Sequence, residues 1–151
     1  MADEAEAVPY DERFLESSWT WLQDPEIARL TMTPPFTREQ QLAWFAGLDR
    51  RCDYVLWGIE LDGRPIGVFG IKNIEGASGE YWGYLGEKDC WGRGIGRWMV
   101  ESAALRARER GIRELVLRVS RGNARAQALY RRCGFDVTGE EAEFLWMRRE
   151  L

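Results

Sequence analysis

Three glycines at alternate positions, Gly92, Gly94 and Gly96, open a segment that then turns apolar at helical spacing. Glycine is the weakest helix former after proline, so this spacing needs another reason. A glycine-rich turn between a strand and a helix lets backbone amides and the positive end of the helix dipole contact a phosphate. A tight turn without a ligand is the alternative. The segment is neither a Walker loop, which needs Lys and Ser/Thr after its last glycine, nor a G-x-G-x-x-G fingerprint.

Histidine is absent from the sequence, which limits the chemistry that the chain can perform. A Ser-His-Asp triad, a Cys-His pair and histidine-containing zinc sites are all excluded. Proton transfer then depends on Glu, Asp, Tyr, Lys, Cys or water. The three cysteines, Cys52, Cys90 and Cys133, are scattered and odd in number, which favours a reduced cytosolic protein over a disulfide framework. We expect a cytoplasmic protein with no metal site.

The composition indicates a single globular domain. A chain of 151 residues, 45% of them hydrophobic, can bury a sizeable core. The net charge of −4 argues against a general nucleic-acid-binding protein, although arginines cluster between residues 93 and 132 and suit a local anionic ligand. No apolar run reaches the roughly 18 residues of a membrane helix, and no signal-peptide pattern opens the sequence. Residues 1–9 are expected to form a disordered tail before a domain spanning residues 10–151.

Apolar periodicity and turn signals predict the elements that must position the glycine segment. Helices are expected over residues 11–23, 37–48, from 95 to a stop at Gly111, and 124–132, with a short segment at 26–30. Thr37 and Gln40 fit a capping box. The long helix is expected to bury a stripe of Ile95, Trp98, Met99, Ser102 and Leu105. Strands are expected over residues 54–61, 65–74, 80–86, 114–119, 135–138 and 143–149, the first two joined by an Asp62-Gly63 turn.

The order of these elements predicts the fold class. Strand, long helix and strand over residues 80–119 form a βαβ crossover, which makes the two strands parallel. The first three strands can form an antiparallel meander. We therefore expect one α/β domain with a mixed, mostly antiparallel sheet, a central parallel pair and flanking helices.

Two segments resemble the GNAT superfamily of acetyl-CoA-dependent N-acetyltransferases. Residues 91–96, WGRGIG, are similar to its Q/R-x-x-G-x-G/A motif except that Trp91 replaces Gln/Arg. Residues 123–135 are similar to its N-x-x-A-x-x-x-Y-x-x-x-G-F segment. The W-G-K/R-G form of the loop resembles one branch, which includes ribosomal-protein and amino-sugar acetyltransferases. The resemblance extends from about residue 21 to residue 151 and implies a GNAT fold.

The resemblance also implies how acetyl-CoA would be held. Backbone amides between Gly92 and Gly96 would bind the pyrophosphate, and Leu85 and Gly86 would pair with the pantetheine arm. Arg93 or Arg97 could add charge, or could be solvated residues at a helix start. Asn123 would contact CoA as well as cap the last helix. The cofactor-binding residues expected in this way are Leu85, Gly86, Trp91, Gly92, Arg93, Gly94, Ile95, Gly96 and Asn123.

Tyr130 and Glu80 are the expected catalytic residues. The resemblance places the Tyr130 hydroxyl near the CoA sulfur, where it would protonate the departing thiolate; a buried core tyrosine is the alternative. An ordinary tyrosine, with a pKa of about 10, carries that proton at neutral pH. Because histidine is absent, Glu80 is the best candidate for the base that deprotonates the amine, directly or through water. A solvated carboxylate at a strand end is the alternative for Glu80.

The expected acceptor is a small-molecule primary amine. Residues 21–27 and 38–45 resemble the N-terminal region of bacterial acetyltransferases for nucleotide-linked amino sugars, and also the ribosomal-protein branch. Aromatic side chains in this half could stack on a base or sugar. An N-terminal peptide, a small amine or antibiotic, and a non-catalytic CoA-binding module are the alternatives, although Tyr130 argues against the module. A homodimer is left open, and no nucleic-acid or membrane partner is expected.

Overall fold

The computed structural model describes residues 5–151 as one mixed sheet with helices on both faces. The strands are β1 (Ala5–Pro9), β2 (Val55–Leu61), β3 (Arg64–Glu75), β4 (Ser78–Leu85), β5 (Glu114–Ser120), β6 (Asp136–Glu140) and β7 (Phe144–Glu150). The helices are α1 (Glu12–Trp21), α2 (Pro25–Leu30), α3 (Arg38–Gly47), α4 (Ile95–Glu109) and α5 (Ala124–Arg132). The seven strands lie in the order β1-β2-β3-β4-β5-β7-β6. The predicted fold is confirmed.

Strand β1 corrects the prediction that residues 1–9 form a disordered tail. Residues 1–4 lie outside the described part of the chain, but Ala5–Pro9 pair antiparallel with β2 from Leu61 to Trp57. Ala5 is buried and belongs to the core. The acidic composition of the segment concealed a strand, because the hydrogen bonds of an edge strand come from its neighbour rather than from its own side chains.

Two local predictions from the sequence are confirmed by backbone geometry. Asp62 and Gly63 have φ values of 53° and 77°, which suit the two-residue hairpin turn between β2 and β3. At the start of α3, the Thr37 side chain accepts a 3.1 Å hydrogen bond from the Gln40 amide. The Gln40 side chain accepts a 2.9 Å hydrogen bond from the Thr37 amide, which completes the capping box.

The central strands β4 and β5 are the predicted parallel pair, but they pair over only part of their length. Their register joins Ser78–Glu80 to Glu114–Val116. Beyond Glu80 and Val116 both strands continue, to Leu85 and Ser120, without pairing to each other. Helix α4 provides the crossover between them. A gap therefore opens in the middle of the sheet.

Helix α4 packs on one face of the sheet, and Ile95 and Met99 are buried as predicted, but the rest of its buried stripe differs from the prediction. Its buried residues are Ile95, Met99, Val100, Ala103, Ala104 and Ala107. Leu105 is 56% exposed, so the predicted continuation of the stripe through Leu105 is wrong. The alanines of α4 are small and let the helix lie close to the sheet. The buried face of the helix is therefore not the one with the most large apolar residues, which is the face that the sequence pattern predicts.

The opposite face of the sheet is covered by α1 and α2. Phe14, Trp21 and Ile27 form a second core cluster there with Val68 of β3. A Cβ atom on Gly58 would lie 2.3 Å from the Phe14 ring, so glycine in β2 is what lets that ring rest on the sheet. Among residues 5–151, no helix combines the length and apolar character needed to cross a membrane.

Candidate functional site

The gap between β4 and β5 is the floor of a cavity of about 1220 Å³. Helices α4 and α5 border one half of it, and α1, α2 and α3 border the other. Single ligand pockets usually measure about 300–1,000 Å³, so this cavity has room for two small molecules or for one extended molecule with a partner. Within residues 5–151, no group of three or more His, Cys, Asp or Glu side chains could hold a metal ion.

The glycine segment forms the end of the first half, where α4 begins. Gly92 and Gly94 have φ values of 76° and 82°, a region that favours glycine. Gly94 is the N-cap of α4 and makes no side-chain hydrogen bond to the first turn. The amides of that turn are therefore left without a capping side chain and are available to an anion. Gly92, Gly94 and Gly96 all line the cavity.

Arginine side chains surround this helix end. Arg97, Arg125 and Arg132 line the cavity, and the first turn of α4 contains no acidic residue. A Cβ atom on Gly92 would lie 2.8 Å from Nη2 of Arg125, so glycine leaves room for that guanidinium beside the loop. Arg93 is exposed and does not line the cavity. Of the two arginines expected near the phosphates, the structure places Arg97 at the cavity and Arg93 outside it.

Trp91 connects the glycine segment to the end of β4. Its indole Nε1 donates a 3.0 Å hydrogen bond to the carbonyl of Leu85. Both residues line the cavity. Where the family motif has Gln or Arg, this tryptophan holds the loop against the separated end of the strand.

Gly86 and Ile95 serve packing rather than lining the cavity. The Gly86 amide donates a 2.8 Å hydrogen bond to the Ile66 carbonyl, so it has a partner within the sheet and is not available to a pantetheine arm. A Cβ atom on Gly86 would lie 1.9 Å from the Trp21 ring, which explains the glycine. The Ile95 side chain is fully buried in the core, and only its backbone belongs to the loop.

Asn123 lines the cavity from the start of α5. Its Oδ1 atom accepts a 3.1 Å hydrogen bond from the Ala126 amide, as expected of an N-cap. This contact uses the side-chain oxygen and leaves the side-chain nitrogen as a donor. Both roles considered for Asn123 are therefore compatible with its position.

Tyr130 faces the cavity from α5 and is half-buried. Its ring makes edge contacts with Tyr81 and Phe135, at centroid distances of 6.2 Å and 5.9 Å. Burial raises the pKa of Tyr130 to about 12, and the nearby Cys133 adds to the shift. The hydroxyl thus keeps its proton throughout the physiological pH range and can act as a hydrogen-bond donor.

Glu80 is a buried, paired carboxylate rather than a solvated strand end. It is 6% exposed and lies on β4 at the last pair before the strands separate. Oε1 accepts a 3.0 Å hydrogen bond from Asn73, and Oε2 accepts a 2.9 Å hydrogen bond from Nε of Arg118. The ammonium of Lys72 lies 4.0 Å from Oε2. Lys72 and Arg118 line the cavity, with Glu80 directly behind them.

Aromatic rings line the second half of the cavity in a continuous chain. Trp44 contacts Tyr54, and Tyr54 contacts Trp82, with centroid distances of 6.2 Å and 6.1 Å. The Trp82 Nε1 atom is buried without a hydrogen-bond partner in the described part of the chain. Phe36 also lines this half, whereas Trp21 is core and donates a 2.6 Å hydrogen bond to Glu87.

Sequence reasoning missed Lys72, Arg118, Tyr54 and Trp82. Each lies on a strand or strand end whose own pattern is unremarkable, and the strands meet only in the folded sheet. One signal was available in the alternation of the strands. Lys72 and Trp82 each lie two positions after a buried residue of the same strand, so each side chain points to the same face of the sheet as that residue. This is the face that α1 covers.

Comparison with known proteins agrees with this geometry. Mycothiol acetyltransferase of Beutenbergia cavernae is 30% identical over 122 residues, which cover 80% of this chain and 39% of that protein. L-methionine sulfoximine/L-methionine sulfone acetyltransferase of Pseudomonas paraeruginosa is 28% identical over 111 residues, which cover 70% of this chain and 64% of that protein. The chain spans less than two thirds of the length of these relatives.

A solved structure shows the same fold over nearly the whole chain. Spermidine N-acetyltransferase from Vibrio cholerae, in complex with CoA and spermine, has a TM-score of 0.88 and 15% sequence identity, with 98% of this chain and 96% of that chain covered. The model of the acetyltransferase (GNAT) family matches residues 15–135, which include the glycine segment and α5. This chain therefore belongs to the acetyltransferase (GNAT) family.

Proposed function

We propose that this protein is an N-acetyltransferase that moves an acetyl group from acetyl-CoA to the primary amine of a small molecule. The observation that carries the proposal is one continuous cavity. It joins the uncapped N-terminus of α4, the Tyr130 hydroxyl and an aromatic-lined second half. Family membership supports the same activity.

The first half of the cavity suits acetyl-CoA. Amides of the first turn of α4 would bind the pyrophosphate, and Arg97 and Arg125 would add positive charge. The pantetheine arm would run along the separated end of β4 beside Leu85, whose carbonyl already accepts from Trp91. The proposed contact with acetyl-CoA does not include Gly86, Arg93 or the Ile95 side chain, because none of them lines the cavity.

The proposed reaction is direct transfer without an acetylated enzyme. The neutral amine attacks the thioester carbonyl, a C–N bond forms, and the C–S bond breaks to release CoA thiolate. The amine loses one proton to a base, and the CoA thiolate takes one from solvent after it has left, so the transfer itself needs one proton acceptor and one hydrogen-bond donor at the sulfur. Holding both substrates in one cavity supplies the proximity that such a transfer needs.

Tyr130 is the proposed donor. Its pKa of about 12 lies above the ordinary pKa of a thiol, about 8.5, so a complete proton transfer to the thiolate is uphill. A hydrogen bond from the hydroxyl to the charge developing on sulfur avoids that cost and still stabilises the transition state. We therefore propose that Tyr130 acts mainly by donating this hydrogen bond.

Glu80 is the proposed acceptor of the ammonium proton, through a water molecule. Each carboxylate oxygen has two lone pairs, and the structure uses one on each, for Asn73 and Arg118. The remaining lone pairs can accept from water at the cavity wall. Accepting the proton would weaken the Arg118 ion pair, and a Glu80→Gln variant tests this role.

A nucleotide-linked amino sugar is the proposed acceptor. The chain of Trp44, Tyr54 and Trp82 offers faces and edges for a base or sugar ring, and the cavity, at about 1220 Å³, is larger than the roughly 300–1,000 Å³ of a usual single-ligand pocket. A peptide N-terminus, a small amine or an antibiotic remains the alternative acceptor. The alternative from a different functional class is a protein that binds CoA but catalyses no transfer.

An acetyl-CoA turnover assay across acceptors tests the proposal. The panel contains a UDP-linked amino sugar, free amino sugars, polyamines, aminoglycosides, amino acids and N-terminal peptides, with release of the CoA thiol as the signal. We expect turnover with at least one small amine and the highest kcat/KM with the nucleotide-linked sugar. Binding of acetyl-CoA without transfer to any amine would support the binding module, and a peptide that exceeds every sugar would replace the proposed acceptor.

A further inference from the structure

The acceptor half of the cavity has a positively charged wall. Lys72 and Arg118 lie within 4.0 Å and 2.9 Å of the same oxygen of Glu80. Two cations and one carboxylate leave a surplus of one positive charge. The other acidic residue at the cavity, Glu143, is exposed at its rim.

Both cations have hydrogen-bond donors that the protein does not use. The Lys72 ammonium is half-buried, and its contact with Glu80, at 4.0 Å, is longer than a hydrogen bond. Within residues 5–151, the ammonium has no other acceptor in contact. Arg118 uses only Nε for Glu80, although a guanidinium carries five N–H groups. Lys72 holds these donors on a half-buried charge, and Arg118 presents them at the cavity wall with 37% of its side chain exposed, so the pair favours a ligand that accepts hydrogen bonds and is negatively charged.

The guanidinium of Arg118 is held in place before any ligand arrives. Beyond the Glu80 contact, it lies over the rings of Phe144 and Trp146, at 5.8 Å and 5.6 Å from their centroids. Burial lowers the pKa of Lys72, Glu80 opposes that shift, and Arg118 and Arg51 add to it. An anion beside the Lys72 ammonium would stabilise its charged form and so offset the effects of burial and of the two arginines.

We propose that the acceptor carries an anionic group, a carboxylate or a phosphate, which binds between Lys72 and Arg118 while its amine faces the thioester. The inference rests on the proposed acetyltransferase function and narrows its substrate class. A polyamine has no such group, and its positive charges would face Lys72 and Arg118. An amino acid would supply a carboxylate, and a nucleotide-linked amino sugar would supply phosphate.

Matched pairs of amines test the proposal. L-methionine sulfone and its carboxamide differ by one carboxylate, UDP-glucosamine and glucosamine differ by the nucleotide diphosphate, and spermidine serves as the cationic probe. For each probe, kcat/KM is measured with acetyl-CoA, and the dissociation constant is measured by calorimetry on the protein saturated with CoA. In at least one pair we expect the anionic amine to be favoured about tenfold or more, the factor that one charge-assisted hydrogen bond supplies. The pair that shows the preference identifies carboxylate or phosphate as the source.

The two lysines of the chain provide the variant and its control. Lys72→Met keeps the aliphatic stem and removes the charge, and Lys72→Gln keeps a donor in its place. Lys88→Met removes the same charge outside the cavity, where Lys88 pairs with Asp24 and Glu26 at 2.8 Å. We expect both Lys72 variants to reduce the anion preference to about threefold or less, and Lys88→Met to retain it. Thermal melting confirms that each variant is folded.

The two readouts separate this proposal from the proposed function. Equal use and equal binding of both members of each pair, a preference for spermidine, or a preference that survives Lys72→Met would overturn the anion site. Anion-dependent binding to the CoA complex without acetylation of any amine would leave the anion site standing and refute the acetyltransferase function.

Discussion

Nε of Arg118 donates a 2.9 Å hydrogen bond to Oε2 of Glu80 at the point where β4 and β5 stop pairing. The contact joins two strands just before the gap that holds the cavity. It also buries a carboxylate, 6% exposed, directly behind two cations that face the cavity. The same residue pair therefore bears on the fold, on the proposed proton transfer and on the charge of the acceptor site.

Glu80→Gln tests the proposed base. We expect kcat to fall by roughly 10²-fold, because glutamine cannot take the proton. Glu101→Gln is the control, since Glu101 pairs with Arg149 at 3.2 Å outside the cavity. It should reduce stability without changing kcat. A folded Glu80→Gln protein with kcat near wild type would show that Glu80 is only an ion-pair partner.

Gly94→Ala tests the phosphate role of the glycine segment. Gly94 and Gly111 lie at opposite ends of α4 with φ values of 82° and 78°, and a Cβ atom on either would meet open space. Alanine at each position should therefore cost a similar free energy of unfolding, about 1 kcal/mol. Only Gly94→Ala places a methyl group at the cavity, so only it should raise the dissociation constant of acetyl-CoA, by about tenfold.

Urea unfolding and calorimetry on the two glycine variants separate strain from ligand contact. An acetyl-CoA affinity of Gly94→Ala that is unchanged from wild type would refute the assignment of the loop to phosphate. An equal loss of affinity in Gly94→Ala and Gly111→Ala would mean that strain in α4, rather than contact with the ligand, controls binding.

The sequence predicted what local patterns determine. The Asp62-Gly63 turn, the capping box at Thr37 and the parallel pair follow from nearby residues or from element order. Strand β1 was missed because its pairing energy comes from β2. The surroundings of Glu80 were missed because Arg118 is 38 residues away along the chain and reaches it only across the sheet.

The candidate site divides in the same way. Its cofactor half comes from two continuous segments with a recognisable spacing, so the glycines, Asn123 and Tyr130 could be named in advance. Its acceptor half is formed by single residues from the loop before β2, from β3, from β4 and from β5. Because these residues are far apart along the chain, they do not form a short sequence motif. The exceptions in the cofactor half are Gly86, which leaves room for the Trp21 ring, Arg93, which is exposed outside the cavity, and Ile95, whose side chain is buried in the core.

Alkaline pH should destabilise the protein through its tyrosines. All five line the cavity, and burial raises the pKa of each: Tyr10, Tyr54, Tyr81, Tyr84 and Tyr130. The folded chain therefore holds more protons than the unfolded chain above about pH 10, the ordinary tyrosine pKa. Stability from these groups is fully present below that pH and is lost as pH rises through the folded values, by about 1.4 kcal/mol per pH unit for each such group.

Urea unfolding from pH 8 to pH 11.5, followed with tyrosinate absorbance, measures this loss. We expect the free energy of unfolding to fall progressively above pH 10 and tyrosinate to appear with the unfolding transition. Tyr54→Phe should make the fall less steep, because it removes one of the groups. A free energy of unfolding that is the same at pH 9 and pH 11 would contradict the assigned shifts.

Tyr130→Phe separates the catalytic and structural roles of the ring. The edge contacts with Tyr81 and Phe135 need only the ring, so the melting temperature should change little. If the hydroxyl donates a hydrogen bond to the departing thiolate, kcat should fall by about 10²-fold while acetyl-CoA affinity is retained. We expect this lower end of the range because a hydroxyl with a pKa of about 12 is a weak acid and because water in the cavity can replace part of its effect. Tyr81→Phe is the control, since it removes a hydroxyl from the adjacent ring and should leave kcat near wild type. A folded Tyr130→Phe protein with kcat within about threefold of wild type would show that Tyr130 serves only to pack α5 against the sheet.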